Sequence, residues 1–226
     1  MILNTMTYKE VYDNYMRDQS KVLYWRNKYA DKYQKSIKPN CPIQVKHQIE
    51  KNDYIISLFT ENRVQLFEYY FLPFFNNNQR LLLVCQETPW IAPWGEEVVI
   101  PGVHLYTMHF LERYNERFLN SLRSSLNEVA GVFFGRNIMR YPVKVTDAIN
   151  RNIGKYSENS QLGFKIRDGF CFTVSASQNS QDSPIPMAVC HVYTTFVGNK
   201  DLSEEQSQAI ADECAKTLSM HKNLLG

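Results

Sequence analysis

The sequence lacks the short motifs that mark most cofactor and nucleotide sites. Its nine glycines form neither a GxGxxG turn nor a P-loop, which argues against a nucleotide-binding loop. Its five cysteines are widely spaced without a CxxC pair, so neither a zinc site nor a redox pair is indicated. An HExxH motif and an acidic cluster are also missing, and we therefore expect neither a bound metal ion nor another cofactor.

Long apolar segments and a secretion signal are missing as well. Apolar runs such as YYFLPFF at 69–75 are far shorter than the ~20 residues of a membrane-spanning helix. The opening residues, MILNTMTYKE, lack a basic stretch followed by an apolar one. Cys85, Cys171 and Cys190 lie inside apolar runs, where a free thiol behaves as a small core residue, and this favours a reducing compartment. We expect a cytoplasmic protein without a membrane partner.

The composition is that of an ordinary folded chain. Its 226 residues are 44% hydrophobic and 21% charged, which suits a soluble globular protein of one large or two small domains. A net charge of +2 is too small to indicate a nucleic-acid-binding protein by itself. Residues 1–40 and 112–155 are each mildly basic and could join into a surface for an anionic partner, but ordinary solvated helix faces explain them equally well.

The first half of the chain reads as one helix followed by strands. Residues 7–36 are predicted to form a long helix that begins with a capping box of Thr7 and Glu10. Tyrosine, valine and tryptophan recur along it at helical spacing, and such a stripe most simply docks onto the protein's own sheet. Apolar runs rich in β-branched and aromatic residues then predict strands at 54–60, 64–75 and 80–86.

The segment TPWIAPWGEE at 88–97 reads as a loop because it holds two prolines and a glycine. Its Trp90 and Trp94 would mark a contact with a protein partner if they were exposed, although they more simply hold the loop in place. A short strand at 98–100 is then expected to end at Pro101–Gly102.

The second half alternates helices and strands. The patterns predict a helix at 108–126 with Thr107 as N-cap, a shorter helix at 145–156, and a hairpin in GFKIRDGFCFTVS that turns at Asp168–Gly169. A further strand, MAVCHVYTTFV, precedes a C-terminal helix that a second capping box begins. The fold class is α+β: a long N-terminal helix, two blocks of antiparallel strands with packed helices, and a C-terminal helix. A domain boundary near 95–102 would give units 1–100 and 101–226, with a single domain as the alternative.

The stretch YTMHFLERYNER at 106–117 carries the main candidate for a functional site. On a helix, Leu111, Tyr114, Phe118 and Leu122 form the core-facing side, and His109, Arg113 and Arg117 form the opposite side, which we name the His/Arg stripe. The helix dipole favours a neutral imidazole in the first turn, and such a group can accept a proton. Two arginines four residues apart repel each other unless an anion lies between them. The stripe therefore suits phosphodiester chemistry without a metal, or equally a solvated helix face.

Other polar side chains could complete such a site. In the strand MAVCHVYTTFV, alternation places His191, Tyr193 and Thr195 on one face and the more apolar set on the other. Lys165 and Arg167 alternate in the same way in the predicted hairpin. We therefore name His109, Arg113, Arg117, Thr195 and His191 as candidate catalytic residues, and Arg113, Arg117, Lys165 and Arg167 as candidate phosphate-binding residues. A solvent-facing polar sheet surface explains the strand residues equally well.

The pattern Tyr106-Thr107-x-His109-x-x-x-Arg113-Tyr114-x-Glu116-Arg117 resembles the opening motif of small bacterial domains grouped with RelE-like and colicin-like ribonuclease toxins. Their pattern continues with a short helix holding an Ala-Ile pair, here Ala148 and Ile149, and with strands that end in a threonine. The resemblance spans about residues 103–197. It implies a compact α+β fold that cleaves RNA without a metal, with His109 in proton transfer, the two arginines at the phosphate, and Thr194 or Thr195 in positioning. Phe110 stands where the family usually has a small residue.

Two other function classes stay open. The chain could be a non-catalytic binding or assembly protein of a phage or mobile element, with its contacts made by the N-terminal helix, Trp90 or Trp94. A metal-dependent hydrolase using His104 and His109 is disfavoured, because their spacing spans a predicted strand-to-helix junction. An RNA or other anionic ligand is the partner that the His/Arg stripe favours.

Overall fold

A computed structural model describes residues 1–62, 66–76, 79–121, 124–151 and 160–225 of the chain. The strands are β1 (Ile43–Ile49), β2 (Asn52–Phe59), β3 (Phe67–Asn76), β4 (Gln79–Ile91), β5 (Glu97–Thr107), β6 (Tyr141–Lys144), β7 (Leu162–Lys165), β8 (Gly169–Gln178) and β9 (Ala188–Gly198). The helices are α1 (Tyr8–Tyr33), α2 (Met108–Tyr114), a π-helical turn (Asn115–Leu119), α3 (Leu126–Arg136), α4 (Asp147–Asn150), a 3₁₀ turn (Asn199–Asp201) and α5 (Glu204–Leu225). The predicted α+β class is confirmed.

All of these strands belong to one sheet, in the order β1-β2-β3-β4-β5-β9-β8-β7-β6. Two antiparallel meanders, β1 to β5 and β6 to β9, meet where β9 pairs in parallel with β5. The expected boundary at 95–102 overlaps β5, which pairs with β4 on one side and β9 on the other. The two strand blocks are therefore joined by backbone hydrogen bonds at their centre.

Helices cover both faces of this sheet. On β5, Val103 and Leu105 pack in the core cluster that includes the buried side of α1, whereas Tyr106 packs with α2 and α3. Successive side chains of a strand point to opposite faces, so α1 lies on one face and α2 and α3 lie on the other. At the far end, Ile149 of α4 and Ile210 of α5 pack in a third cluster with β6, β8 and β9. No helix among the described residues is both long and apolar enough to cross a membrane.

Helix α1 follows the prediction closely. The hydroxyl of Thr7 accepts from the backbone N–H of Glu10, whose carboxylate accepts from the N–H of Thr7, so the capping box is confirmed. The aromatic stripe docks onto the sheet, with Val11, Tyr15 and Val22 buried. The helical spacing of the aromatic residues therefore predicted this packing correctly.

The TPWIAPWGEE segment was wrongly predicted as a loop. It continues β4 to Ile91 and begins β5 at Glu97, with Gly95 at a φ of +93° in the turn between them. Both strands tolerate proline here because β4 pairs only with β5 beyond Leu83, and β9 joins β5 only from Gly102 onward. The predicted break at Pro101–Gly102 is also wrong.

Glycine at position 102 has a steric reason. A Cβ atom there would lie 2.1 Å from the Oγ1 of Thr88 on β4. The close approach of the two strands therefore requires a residue without a side chain, and glycine in this case continues the strand.

The hairpin of β7 and β8 is confirmed, but its turn lies one step earlier than predicted. Ile166 donates its N–H to the carbonyl of Gly169 at 3.1 Å, so residues 166–168 form the turn and Gly169 begins β8. A Cβ at Gly169 would lie 2.1 Å from the carbonyl oxygen of Val197. Glycine therefore serves the pairing of β8 with β9 rather than a two-residue turn.

Two helices are shorter than predicted. The helix expected at 108–126 ends as α helix at Tyr114, continues as the π-helical turn to Leu119, and stops at Asn120 with a φ of +50°. Asparagine tolerates that left-handed conformation, which ends the helix. The helix expected at 145–156 is α4 at Asp147–Asn150, and residues 152–159 of that prediction lie outside the described residues, as does Leu122.

A buried carboxylate connects several of these elements. Asp168, whose side chain is 2% exposed, accepts two hydrogen bonds from the guanidinium of Arg136 at 3.0 and 2.9 Å. It also accepts from the hydroxyl of Tyr114 at 2.7 Å and from the side-chain amide of Asn137 at 3.0 Å. Arg136 pairs in addition with Glu61. The turn of the β7–β8 hairpin is thereby tied to α2 and to the end of α3.

We predict that Asp168→Asn lowers the free energy of unfolding by ~3 kcal/mol, because the half-buried Arg136 guanidinium loses its buried carboxylate partner and keeps only Glu61. Urea unfolding followed by tryptophan fluorescence measures this loss. The matched control is Arg167→Ala in the same turn, which removes an exposed ion pair with Glu61 and should cost less than ~1 kcal/mol. Equal losses for the two variants would contradict the role given to Asp168.

Candidate functional site

The His/Arg stripe lies on α2 and the π-helical turn. The hydroxyl of Thr107 accepts from the N–H of Phe110 at 3.1 Å, so this threonine is the predicted N-cap. Leu111 and Tyr114 are fully buried, whereas the side chain of Arg113 is 35% exposed. The predicted division into a core-facing and an opposite side is therefore confirmed for these residues.

The π-helical turn determines where Arg117 lies. Asn120 donates its N–H to the carbonyl of Asn115 at 2.6 Å, and the side-chain amide of Asn115 makes two hydrogen bonds with the backbone of Ser121. Arg117, inside this turn, donates from Nη1 to the carbonyl oxygen of Phe196 on β9 at 2.5 Å. One end of the guanidinium is thus held against the sheet, and π-helical turns of this kind are frequent at functional sites.

Arg113 and Arg117 line an open cavity of about 770 Å³. Its other walls come from the end of β9, from the 3₁₀ turn and from the start of α5. Two further cations, Arg151 and Lys200, line it together with the carboxylates of Glu116 and Asp201. Four cations from three separate parts of the chain therefore line one space, an arrangement that suits an anionic ligand.

The ion pairs around this cavity are exposed. Arg113 pairs with Glu116 at 2.8 Å and Arg151 with Glu205 at 2.6 Å, and both glutamate side chains are more than half exposed. Exposed pairs of this kind contribute only ~0–1 kcal/mol, so a phosphate can replace either carboxylate at small cost. Among the described residues, no carboxylate forms an ion pair with Arg117.

The second capping box positions the cation that completes this wall. Ser203 and Gln206 exchange backbone and side-chain hydrogen bonds at the start of α5, as predicted. The amide of Gln206 also donates to the carbonyls of Ile149 at 3.0 Å and Arg151 at 2.8 Å. This buried glutamine therefore joins the end of α4 to α5 and holds Arg151 beside the cavity.

The predicted site residues fall into two groups. Arg113, Arg117 and Thr195 line the same cavity, and Arg167 lines an adjoining cavity of about 420 Å³ that shares Arg117 and Lys200 with it. Lys165 instead donates to Asn199 at 2.5 Å and lines a separate cavity beside α5. The half-buried His109 does not line the basic cavity, and neither does His191.

The prediction that His191, Tyr193 and Thr195 share one sheet face is wrong. A β-bulge in β9 pairs Tyr193 with Thr173 and Thr195 with Phe172, which are neighbours on β8. The extra residue, Thr194, donates its hydroxyl to the carbonyl of Phe172 at 3.2 Å. Thr195 therefore points to the opposite side from His191 and Tyr193. Nor is this a solvent-facing surface, because His191 is 3% exposed and Tyr193 is fully buried.

His191 and His104 instead form a buried pair, with ring centroids 5.1 Å apart. Burial lowers the pKa of His191 to about 4. Burial also lowers the pKa of His104 well below 6.5, and His191 and Arg140 lower it further. Both imidazoles are therefore neutral at pH 7. Nε2 of His191 is buried without a hydrogen-bond partner among the described residues, which costs the folded protein ~1–3 kcal/mol.

Sequence reasoning did not place Arg151, Lys200 or Gln206 at the site, although it predicted Gln206 as part of the capping box of α5. Arg151 lies in the basic region 112–155, but its position in the sequence does not show that it lines the cavity. Lys200 follows β9 directly and reaches the cavity through the 3₁₀ turn. Residues about 35 to 90 positions apart along the chain meet here because the sheet places β9 beside α2. No spacing pattern in the sequence predicts this contact.

No protein-family model, no curated protein and no solved structure matches this chain. The resemblance to RelE-like and colicin-like ribonuclease toxins therefore stays a prediction that rests on the quoted residues. Within the described part of the chain, no group of three His, Cys, Asp or Glu side chains is arranged to hold a metal ion.

The lowered pKa of His191 makes stability depend on pH. The unfolded chain protonates this histidine below about pH 6.5 whereas the folded protein resists protonation down to about pH 4, so acid favours unfolding over that window. Because one pKa unit corresponds to ~1.4 kcal/mol, His191 alone should remove on the order of 3 kcal/mol of stability as pH falls through it.

We predict that His191→Phe loses less stability than the wild type across this window, as measured by urea unfolding at stepped pH values. Carboxylates titrate alike in both proteins, so the difference between the two profiles reports His191 together with its effect on the pKa of His104. Parallel profiles would mean that His191 is not buried in a neutral form.

Proposed function

We propose that the protein binds the phosphate backbone of RNA in the basic cavity, with Arg113 and Arg117 as the principal contacts. The observation that carries this proposal is the convergence of Arg113, Arg117, Arg151 and Lys200 on one open cavity. Phosphate contacts from arginine and lysine supply most of the affinity of proteins for nucleic acid.

The geometry of Arg117 suits this role. One end of its guanidinium is held by the carbonyl of Phe196, so little side-chain entropy is lost when the remaining N–H groups meet a phosphate. Arg113 and Arg151 each exchange an ion pair with an exposed glutamate for a contact with a phosphate of the RNA. The adjoining cavity with Arg167 extends the basic lining beyond Arg117, and a chain of several phosphates can follow it.

Metal-independent cleavage of RNA is the stronger form of the proposal. It needs a base to remove a proton from the 2′-hydroxyl and cations for the charge that develops on phosphorus. The two arginines fit the second requirement, and Thr195 lines the same cavity. His109 and His191 do not line it, so the geometry supports RNA binding better than RNA cleavage.

A non-catalytic assembly protein is the alternative, and one observation favours it. At the end of the β4–β5 hairpin, Trp94 is 54% exposed and Val99 is 59% exposed. Large apolar side chains that are exposed near the end of a hairpin are typical of a contact with another protein. In that case the His/Arg stripe would be a solvated helix face.

We predict that Arg113→Ala and Arg117→Ala each weaken the binding of a single-stranded RNA oligonucleotide by ~5–30-fold at low salt. Each lost phosphate contact should also reduce the slope of log affinity against log salt by ~0.7–1. Fluorescence anisotropy with labelled RNA measures both quantities. The matched control is Arg17→Ala, which removes an exposed arginine of α1 and should leave both quantities nearly unchanged.

Incubating the labelled RNA with the protein in EDTA separates the two forms of the proposal. Binding alone leaves the RNA intact, whereas a nuclease produces fragments that Arg113→Ala and Arg117→Ala suppress. Wild-type protein that neither binds nor cleaves RNA at low salt contradicts both forms and leaves the assembly function.

A further inference from the structure

A second cavity lies on the opposite side of β9 from Thr195. It has a volume of about 540 Å³ and shares no lining residue with the basic cavity. Its lining comes from β4, β5, β9, β7 and β6, from Arg140 just before β6, and from α5. This volume falls within the range of ~300–1,000 Å³ that is typical of small-molecule sites.

The walls of this cavity are mainly apolar and aromatic. Trp90 and Pro89 of β4 line one part, and Leu162 and Phe164 of β7 and Pro142 of β6 line another. Aromatic and proline side chains keep their shape without losing much conformational entropy, so they suit contact with a flat apolar ring. Trp90 therefore lies half-buried in the cavity wall, whereas Trp94 lies exposed at the tip of the same hairpin.

The polar part of the lining contains the two buried histidines, and only one of them has both nitrogens bonded. His104 makes hydrogen bonds to the hydroxyl of Tyr193 at 3.1 Å and to the amide of Gln86 at 3.0 Å. His191 contacts the hydroxyl of Ser175 at 2.8 Å through Nδ1, and its Nε2 is buried without a hydrogen-bond partner among the described residues. A polar atom of a ligand would satisfy Nε2, whereas His104 needs none.

The lining also has one guanidinium. Arg140 lies beside the cavity and donates to the hydroxyl of Tyr106 at 2.5 Å, and the ring of Tyr106 stacks on Tyr193 at 4.1 Å. A guanidinium presents five N–H donors, so Arg140 can hold an anionic group while it keeps this hydrogen bond. The lining carboxylate, Glu87, belongs to an exposed residue. An anion is therefore the charged group that this lining favours.

We infer that this cavity is a binding site for a small aromatic molecule with one anionic group, such as a carboxylate or sulfonate. The ring contacts Trp90 and Phe164, a polar atom meets Nε2 of His191, and the anionic group lies towards Arg140. This inference is independent of RNA binding, because the two cavities share no lining residue.

The probe for the test is 1-anilinonaphthalene-8-sulfonate, an aromatic sulfonate whose fluorescence rises in apolar surroundings. Titration into the wild-type protein should give saturable binding at one site per chain. Trp90→Ala should weaken it ~10-fold or more, because a large aromatic wall is lost. His191→Phe should weaken it ~5-fold, the effect of one hydrogen bond, while it keeps the ring shape. Trp94→Ala is the matched control and should bind as the wild type does.

Two further measurements keep the outcome decisive. The uncharged analogue N-phenyl-1-naphthylamine should bind more weakly than the sulfonate, since it offers nothing to Arg140. Thermal unfolding of each variant establishes that it is folded. If His191→Phe does not fold, Trp90→Ala alone tests the site, because Trp90 is only half-buried. Absence of saturable binding to the wild type overturns the inference, as does an equal loss in Trp90→Ala and Trp94→Ala.

Discussion

The hydrogen bonding of the buried Asp168 carboxylate is the interaction on which the arrangement of the basic cavity depends. It joins the β7–β8 turn to Arg136 at the end of α3 and to Tyr114 at the end of α2. A buried carboxylate is stable here because Arg136, Tyr114 and Asn137 all donate to it. The backbone around it is equally constrained, since Asn137 accepts from the N–H of Asp168 at 3.2 Å.

Both walls of the cavity are positioned through this carboxylate and its backbone. Tyr114 holds the end of α2, the helix that carries Arg113, and the π-helical turn with Arg117 begins at the next residue. On the other side, Asn199 donates its N–H to the carbonyl of Asp168 at 3.1 Å, which places the 3₁₀ turn that carries Lys200. Arg113, Arg117 and Lys200 thus lie on a hydrogen-bonded frame, while the ion pair of Arg113 with Glu116 stays at the surface. Such a frame fixes binding groups in place before the ligand arrives.

Local signals in the sequence predicted local structure well. The capping boxes at Thr7 and Ser203 place the starts of α1 and α5 because each depends on side chains only three residues apart. The two sides of α2 were likewise readable, since helical periodicity alone assigns Leu111 and Tyr114 to the core. The prolines of the β4–β5 hairpin wrongly indicated a loop, because proline is tolerated where a strand has a single neighbour. Which strands pair cannot be seen in one sequence.

The composition of the candidate site was less predictable than the elements that carry it. One bulge residue in β9 moves Thr195 to the face opposite His191, and nothing in the alternation of MAVCHVYTTFV reports it. Arg151 and Lys200 meet the arginines of α2 because the parallel pairing of β5 with β9 joins the two strand blocks at the centre of the sheet. The two faces of β9 therefore carry different chemistry, a basic cavity beside Thr195 and an aromatic cavity beside His191.

The most direct test of the central claim is a crystal structure of the protein with a short single-stranded RNA. We expect a phosphate with oxygens at ~3 Å from the guanidinium groups of both Arg113 and Arg117, in place of the Arg113–Glu116 ion pair. An RNA bound on another surface, with both arginines still in their present contacts, would contradict the account.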